Sequence, residues 1–274
     1  MSAPPVVLTI AGSDCGGGAG IQADLATFAS FRVHGTTAVT AVTVQDTTGV
    51  HAVHRVPTDV VVDQVRVCVH DLAPHATKSG MLGDAETARA VAALAADGRL
   101  PRLVVDPVLV STSGHALATD DVLTVMRDDL IPHADVVTPN TDEAAALLGS
   151  SPAVSLEDQT AQALRLLELG CAAVVVTGGL TDGARHDVLA TRTGITVMTN
   201  PDLVTSNDHG TGCTFAAALA AGLAHGRPLE CAVRDAGAFV RGCLTAAAGW
   251  QLGRGRGPVS HLAPTTTDPR GDSA

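Results

Sequence analysis

Short, largely apolar runs alternate along the chain with longer segments whose apolar residues recur every three or four positions. Residues 6–11 form one such run, ending in a glycine-rich turn. Ile21, Leu25, Phe28 and Ala29 then share one face of a segment spanning 21–31, the spacing of an amphipathic helix. The same rhythm predicts strands over 37–44, 103–106, 136–138 and 173–177, and helices over 59–71, 85–96 and 156–169. Residues 187–190 and 194–198 read as a hairpin, and helices over 211–225 and 229–248 close the series. Runs without polar alternation suit strands buried on both faces. The pattern therefore predicts an α/β fold, a doubly wound, mostly parallel sheet with helices on both faces. No repeat or linker interrupts residues 1–262, expected to form a single domain, and the Thr-, Pro- and Asp-rich stretch 263–274 is expected to be a disordered tail.

Composition narrows the chemistry. Apolar residues make up 46% of the 274, yet Trp250 is the only tryptophan and there is no tyrosine, so the core must be aliphatic. A formal charge of −11, with no basic stripe and no aromatic platform for stacking bases, argues against nucleic acid as a partner. The six cysteines are scattered, with neither a C-x-x-C pair nor a histidine cluster, which disfavours a disulfide framework or a structural zinc site. The first residues lack a basic leader and the most apolar helix, over 213–224, is too short to cross a bilayer, so no membrane association and a cytoplasmic location are expected.

Two glycine clusters stand where strands give way to helices. In the first, Gly12 to Gly20, the glycines fall at 16, 18 and 20, whereas a dinucleotide fingerprint would place the third at 21, which is Ile21. The chain's only lysine, Lys78, has no upstream phosphate-loop glycines, so any nucleoside triphosphate is handled without a P-loop. The cluster is either a flexible turn or a backbone that lets a small ligand approach closely. The second, Asp208 to Thr214, runs straight into a small-residue helix. Gly210, Thr211, Gly212 and Cys213 there form a candidate anion hole, because first-turn amides lack helical partners and the helix dipole adds positive potential. Cys213 in that turn is expected to have a thiol pKa below its reference of about 8.5 and to act as a base, the alternative being a cysteine that fills a gap. Asp106 ends an apolar strand, and Asn140 and Glu143 sit three apart at the start of a helix. They are candidate Mg²⁺ ligands or, taken singly, a helix cap and solvated charges.

Read in order, LTIAGSDCGGGAGIQAD from Leu8, TAVTVQDT from 40, KSGML from Lys78, VVDPVLV from 104, TPNTDEA from 138, HGTGCT from His209 and GPVSH from 257 resemble the bacterial hydroxymethylpyrimidine and phosphomethylpyrimidine kinases of the ribokinase superfamily, over residues 6–262. Cysteine after Gly-Thr-Gly points to the vitamin-kinase branch, which includes certain pyridoxal kinases. The resemblance implies a ribokinase-like fold, ATP with Mg²⁺ as cofactors, a pyrimidine alcohol as substrate and a homodimer. It implies that Asp24 and Gln45 hold the substrate, with Gly12, Met81 and Val108 lining its pocket, and that Gln45 matches the amino and ring-nitrogen edge of an aminopyrimidine. It further implies Cys213 as the base, Asn140, Thr177, Gly179 and His209 as nucleotide contacts, and Asp106 and Glu143 as the metal region. A pyridoxal kinase and a ligand-binding relative without turnover are the competing readings. The chain departs from the pattern at several places. Thr177 and Thr112 stand where lysine is frequent, Gly16 replaces a serine and Asp46 an asparagine. Asp208 occupies a position usually held by threonine, where it either pairs with His209 or an arginine or repels an already phosphorylated substrate.

Overall fold

A computed structural model describes residues 3–109, 114 and 117–262; Thr112 and the stretch 263–274 lie outside the described residues. In chain order the elements are β1 (Val6–Asp14), α1 (Gly20–Ser30), β2 (His34–Asp46), β3 (Gly49–Arg55), α2 (Thr58–Leu72), β4 (Ala76–Ser79), α3 (Ala85–Ala96), β5 (Leu103–Val105), α4 (Asp120–Val125), β6 (Val136–Val137), α5 (Thr141–Leu148), α6 (Leu156–Leu167), β7 (Ala173–Thr181), β8 (Ala184–Thr191), β9 (Gly194–Pro201), α7 (Thr211–Ala224) and α8 (Leu229–Ala247). The strands form one sheet in the order β3-β2-β1-β4-β5-β6-β7-β8-β9. From β2 through β7 the neighbours are parallel, while β3 pairs antiparallel with β2, and β7, β8 and β9 form an antiparallel meander.

Alternate residues of the central strands feed two separate apolar layers, as the period of a strand requires. Leu8, Ile10, Val105, Val137, Val174 and Val176 pack with α2, α3, α4, α5 and α6. Val7, Val104, Val136 and Val175 pack with α1, α7 and α8 on the opposite face. Each fully buried Val or Leu contributes about 1.5–3 kcal/mol. Small residues set the spacing of the second layer. Ala216, Ala217, Ala218, Ala220 and Ala221 of α7 are wholly buried, and a Cβ added to Gly222 would lie 3.0 Å from Ala232 Cβ on α8.

The doubly wound sheet and its helices match the sequence pattern, with differences at the edges. β3, β4 and the short α4 were not anticipated. The expected hairpin over 187–198 is the outer half of a meander, because β7 continues to Thr181 and turns into β8 through Asp182 and Gly183, both at positive φ (52° and 74°). That Asp-Gly pair is the usual chemistry of a tight hairpin turn. Among the described residues no helix is long and apolar enough to cross a membrane.

Candidate active site

The carboxyl ends of β1, β2, β4, β5, β6 and β7 and the first turn of α7 surround a cavity of about 720 Å³. Open α/β sheets place ligands at this edge, where strand ends stop hydrogen-bonding to one another and loops diverge. Gly12, Gln45, Met81, Asp106, Val108, Asn140, Glu143, Thr177, His209 and the run Gly210 to Cys213 all line it. The structure thus brings together nearly every residue singled out in the sequence, from seven separate segments.

The two glycine loops are built against each other. Gly210, the residue before α7, has φ +90°, and a side chain there would overlap the carbonyl oxygen of Gly18. No side chain caps α7; the Thr211 amide donates to Asp208 O at 3.3 Å, and the amides of Gly212 and Cys213 stay available to a ligand at the positive end of the helix dipole. Asp14 organises the first loop. Its carboxylate accepts from the amides of Gly16 (2.8 Å), Gly18 (3.1 Å) and Ala19 (2.9 Å), and His209 Nε2 lies 3.1 Å away. Burial alone would raise its pKa; the His209 contact and the backbone amides outweigh that and lower it. The same His209 nitrogen lies 3.0 Å from Gln45 Nε2. A single imidazole nitrogen can donate to Asp14 or accept from Gln45, but not both at once. Gln45 Oε1 makes no hydrogen bond among the described residues and is left for the cavity.

Beneath the floor lies a cluster that the sequence did not reveal. Lys78 is fully buried, with Nζ 3.1 and 3.2 Å from the two carboxylate oxygens of Asp24 and 3.5 Å from Asp106 Oδ2. Asp24 also accepts from Thr9 Oγ1 at 2.6 Å. Burial raises the pKa of both carboxyls, partly offset by the Lys78 charge. Asp106 faces the cavity and hydrogen-bonds to Cys213. Burial pushes the Cys213 thiol up to about 12, with Lys78 pulling down and the carboxylates of Asp106 and Asp24 pushing further up. The low thiol pKa expected from the helix terminus is therefore corrected: desolvation and two nearby anions exceed the effect of the dipole.

Three other expectations change. Asp24 is wholly inaccessible and fastened to Lys78 and Thr9, so it cannot touch a substrate and instead holds the lysine under Asp106. Gly179 does not line the cavity; the buried Gln159 side chain occupies its missing Cβ and donates to Val176 O and His186 O. Asn140 is a helix cap. Its Oδ1 accepts from the amides of Asp142 and Glu143, while Glu143 Oε2 accepts from the Asn140 amide, so a metal cannot take that Asn140 oxygen without breaking the cap. Burial and the neighbouring Asp106 charge push Glu143 up to about 8. Asp106 Oδ2 is buried without a hydrogen-bond partner. The neighbouring carboxyl groups of Asp106 and Glu143, both on the cavity wall, fit a hydrated dication that also meets phosphate, the usual mode for Mg²⁺. Among the described residues no three ligating side chains form a closed metal cage.

Asp208 pairs with Arg256, whose Nε lies 2.8 Å from Oδ1 and whose Nη2 contacts Oδ2. Of the two alternatives for this residue, the arginine pair is the one the geometry contains. Asp14, Lys78, Arg185 and Arg256 escaped the sequence reading. The chain's single lysine and an aspartate inside a glycine cluster were the available signals; the arginines offered none.

Residues 14–260 match the phosphomethylpyrimidine kinase family model. A hydroxymethylpyrimidine/phosphomethylpyrimidine kinase of Rhizobium meliloti is 44% identical over 94% of this chain and 97% of its own. One from Mycobacterium tuberculosis is 46% identical over 94% of each chain. The solved structure of Bacillus subtilis pyridoxal kinase with ADP superposes with a TM-score of 0.88 at 33% identity, covering 95% of this chain and 98% of that one.

Proposed function

The chain belongs to the phosphomethylpyrimidine kinase family, and from that premise we propose that it transfers the γ-phosphoryl group of ATP to the hydroxymethyl oxygen of 4-amino-5-hydroxymethyl-2-methylpyrimidine, within thiamine biosynthesis, and then to the resulting monophosphate. The observation that carries the reading is the uncapped start of α7, Gly210 to Cys213, opening onto the cavity that Gln45 also lines, held there beside His209. An anion hole for a transferring phosphoryl group and a carboxamide suited to an aminopyrimidine edge meet there. Phosphoryl transfer depends chiefly on position and charge neutralisation, so the amides of Gly210 to Cys213 are assigned the larger share of the rate. Asp106 and Glu143 are the residues that would hold Mg²⁺, which would supply positive charge to the triphosphate. Gly12, Met81 and Val108 enclose the pyrimidine, and His209 orients Gln45. Cys213 is placed beside the hydroxyl as its proton acceptor. Asn140 and Thr177 bound the nucleotide's side. Asp208, neutralised by Arg256, raises no barrier to a phosphorylated substrate.

A pyridoxal kinase is the second reading, favoured by the close superposition on proteins of that name. A coupled assay of ADP release, with hydroxymethylpyrimidine, its monophosphate and pyridoxal offered separately, distinguishes them. The pyrimidine alcohol should exceed pyridoxal in kcat/KM by about 30-fold or more, the cost of leaving buried polar groups unmatched. Comparable values would reject the pyrimidine assignment, and binding of nucleotide without turnover on any substrate would reject kinase function. A homodimer is carried on the resemblance and a cytoplasmic location on the sequence pattern, and sedimentation of the intact chain checks the first.

A further inference from the structure

Two arginines reach the cavity wall, Arg185 from β8 and Arg256 from the segment after α8. Arg256 is committed to Asp208 through two of its nitrogens. Arg185 is held differently. The β7–β8 register shifts between Val176 and Gly179, so the Gly178 peptide, at φ +73°, falls out of the ladder with both its polar groups unpaired by backbone. Residues two apart on β8 share a face and recover both groups. Asp187 Oδ1 accepts from the Gly178 amide at 2.9 Å, and Arg185 Nη1 donates to the Gly178 carbonyl at 3.0 Å. Asp202, just past β9, fixes the guanidinium from another side, accepting from Nε at 2.7 Å. Two of the three nitrogens are thereby anchored, and Nη2 makes no hydrogen bond among the described residues.

We propose that Arg185 is a phosphate-binding residue of this site, its Nη2 holding the terminal phosphates of a bound nucleoside triphosphate. The proposal rests on the kinase reading. Asp106, Asp142 and Glu143 place three carboxyl groups on the cavity wall, and a polyanion entering it needs fixed positive charge. Arg185 supplies that charge beside Thr177, which carries none and which bridges to Asn140 across the same wall. A guanidinium already clamped at two corners loses little freedom when the third meets a phosphate oxygen, and its planar donors suit that oxygen better than a mobile ammonium.

Calorimetric titration of the intact protein with ATP, ADP and adenosine, without pyrimidine, tests the assignment. Arg185→Gln keeps a hydrogen-bonding side chain at the bulge and removes the charge. It should weaken ATP and ADP by about 10- to 100-fold while adenosine binds as to the wild type. Arg185→Lys should recover part of the loss, and Thr177→Lys placed in Arg185→Ala should recover it from the adjacent strand. Wild-type ATP affinity in Arg185→Gln overturns the proposal. Equal losses for ATP and adenosine overturn it too, reducing Arg185 to a prop for the Gly178 bulge. A wild type that binds neither nucleotide overturns the kinase reading and this inference with it.

Discussion

Cys213 shows how a local rule yields to its surroundings. Position in a first helical turn argues for an acidic thiol, but burial and two carboxylates push it up to about 12. With the pKa above working pH, the thiolate fraction grows about tenfold per pH unit. If the thiolate takes the hydroxyl proton, kcat should climb about tenfold per unit from about pH 7 to about pH 9. Cys213→Ala should remove the slope and lower kcat by about 10²- to 10⁴-fold. A flat wild-type profile would leave Cys213 as a hydrogen-bond donor to Asp106. The Asp208–Arg256 pair allows a second test. Breaking it from the arginine side bares a carboxylate at the cavity wall, so Arg256→Ala should penalise the monophosphate about 5- to 100-fold more than the neutral alcohol in kcat/KM. Asp208→Thr should treat the two substrates alike; a selective gain for the monophosphate would restore the repulsion hypothesis. The anion hole was legible at this scale because glycines before a small-residue helix have few other uses. Lys78 was not, since lysine is almost never fully buried unless paired. Its partner Asp24 lies 54 residues away and is identified only by the fold.

Among elements, those written in continuous apolar residues or helical spacing were recognisable, as with β1, β5, α3 and α7. β4 escaped because its buried strand reads Ala-Thr-Lys-Ser, polar groups that the ion cluster draws inward. β3 escaped because, with His51, His54 and Arg55 at an edge of the sheet, it has no apolar face to announce it. The joint between the first loop and α7 carries its own prediction. Gly210→Ala would force a side chain into the Gly18 carbonyl at a backbone angle that L residues avoid. We expect a stability loss of about 1–3 kcal/mol by chemical denaturation, with kcat falling more steeply than stability because the amides of the anion hole move together. Unchanged kcat in a folded Gly210→Ala protein would show that the hole tolerates displacement.

For the whole molecule, the doubly wound architecture followed from alternation of strand and helix, and the position of the cavity followed from the architecture. The lining chemistry did not, because Asp14 and His209 stand 195 residues apart and meet only when the sheet has closed. That meeting is extended by the last described segment, where Val259 donates its amide to His209 O at 3.1 Å and Ser260 donates to Cys243 O at 3.2 Å. A pocket stitched from segments this far apart in sequence cannot exist on a nascent fragment that stops short of α7. The strands through β9 have emerged while the phosphate-binding turn and the residues that brace it are still being made or are hidden in the exit tunnel. Synthesis thus separates scaffold from chemistry in time, and the nascent chain acquires its anion-binding edge only after all nine strands have been made.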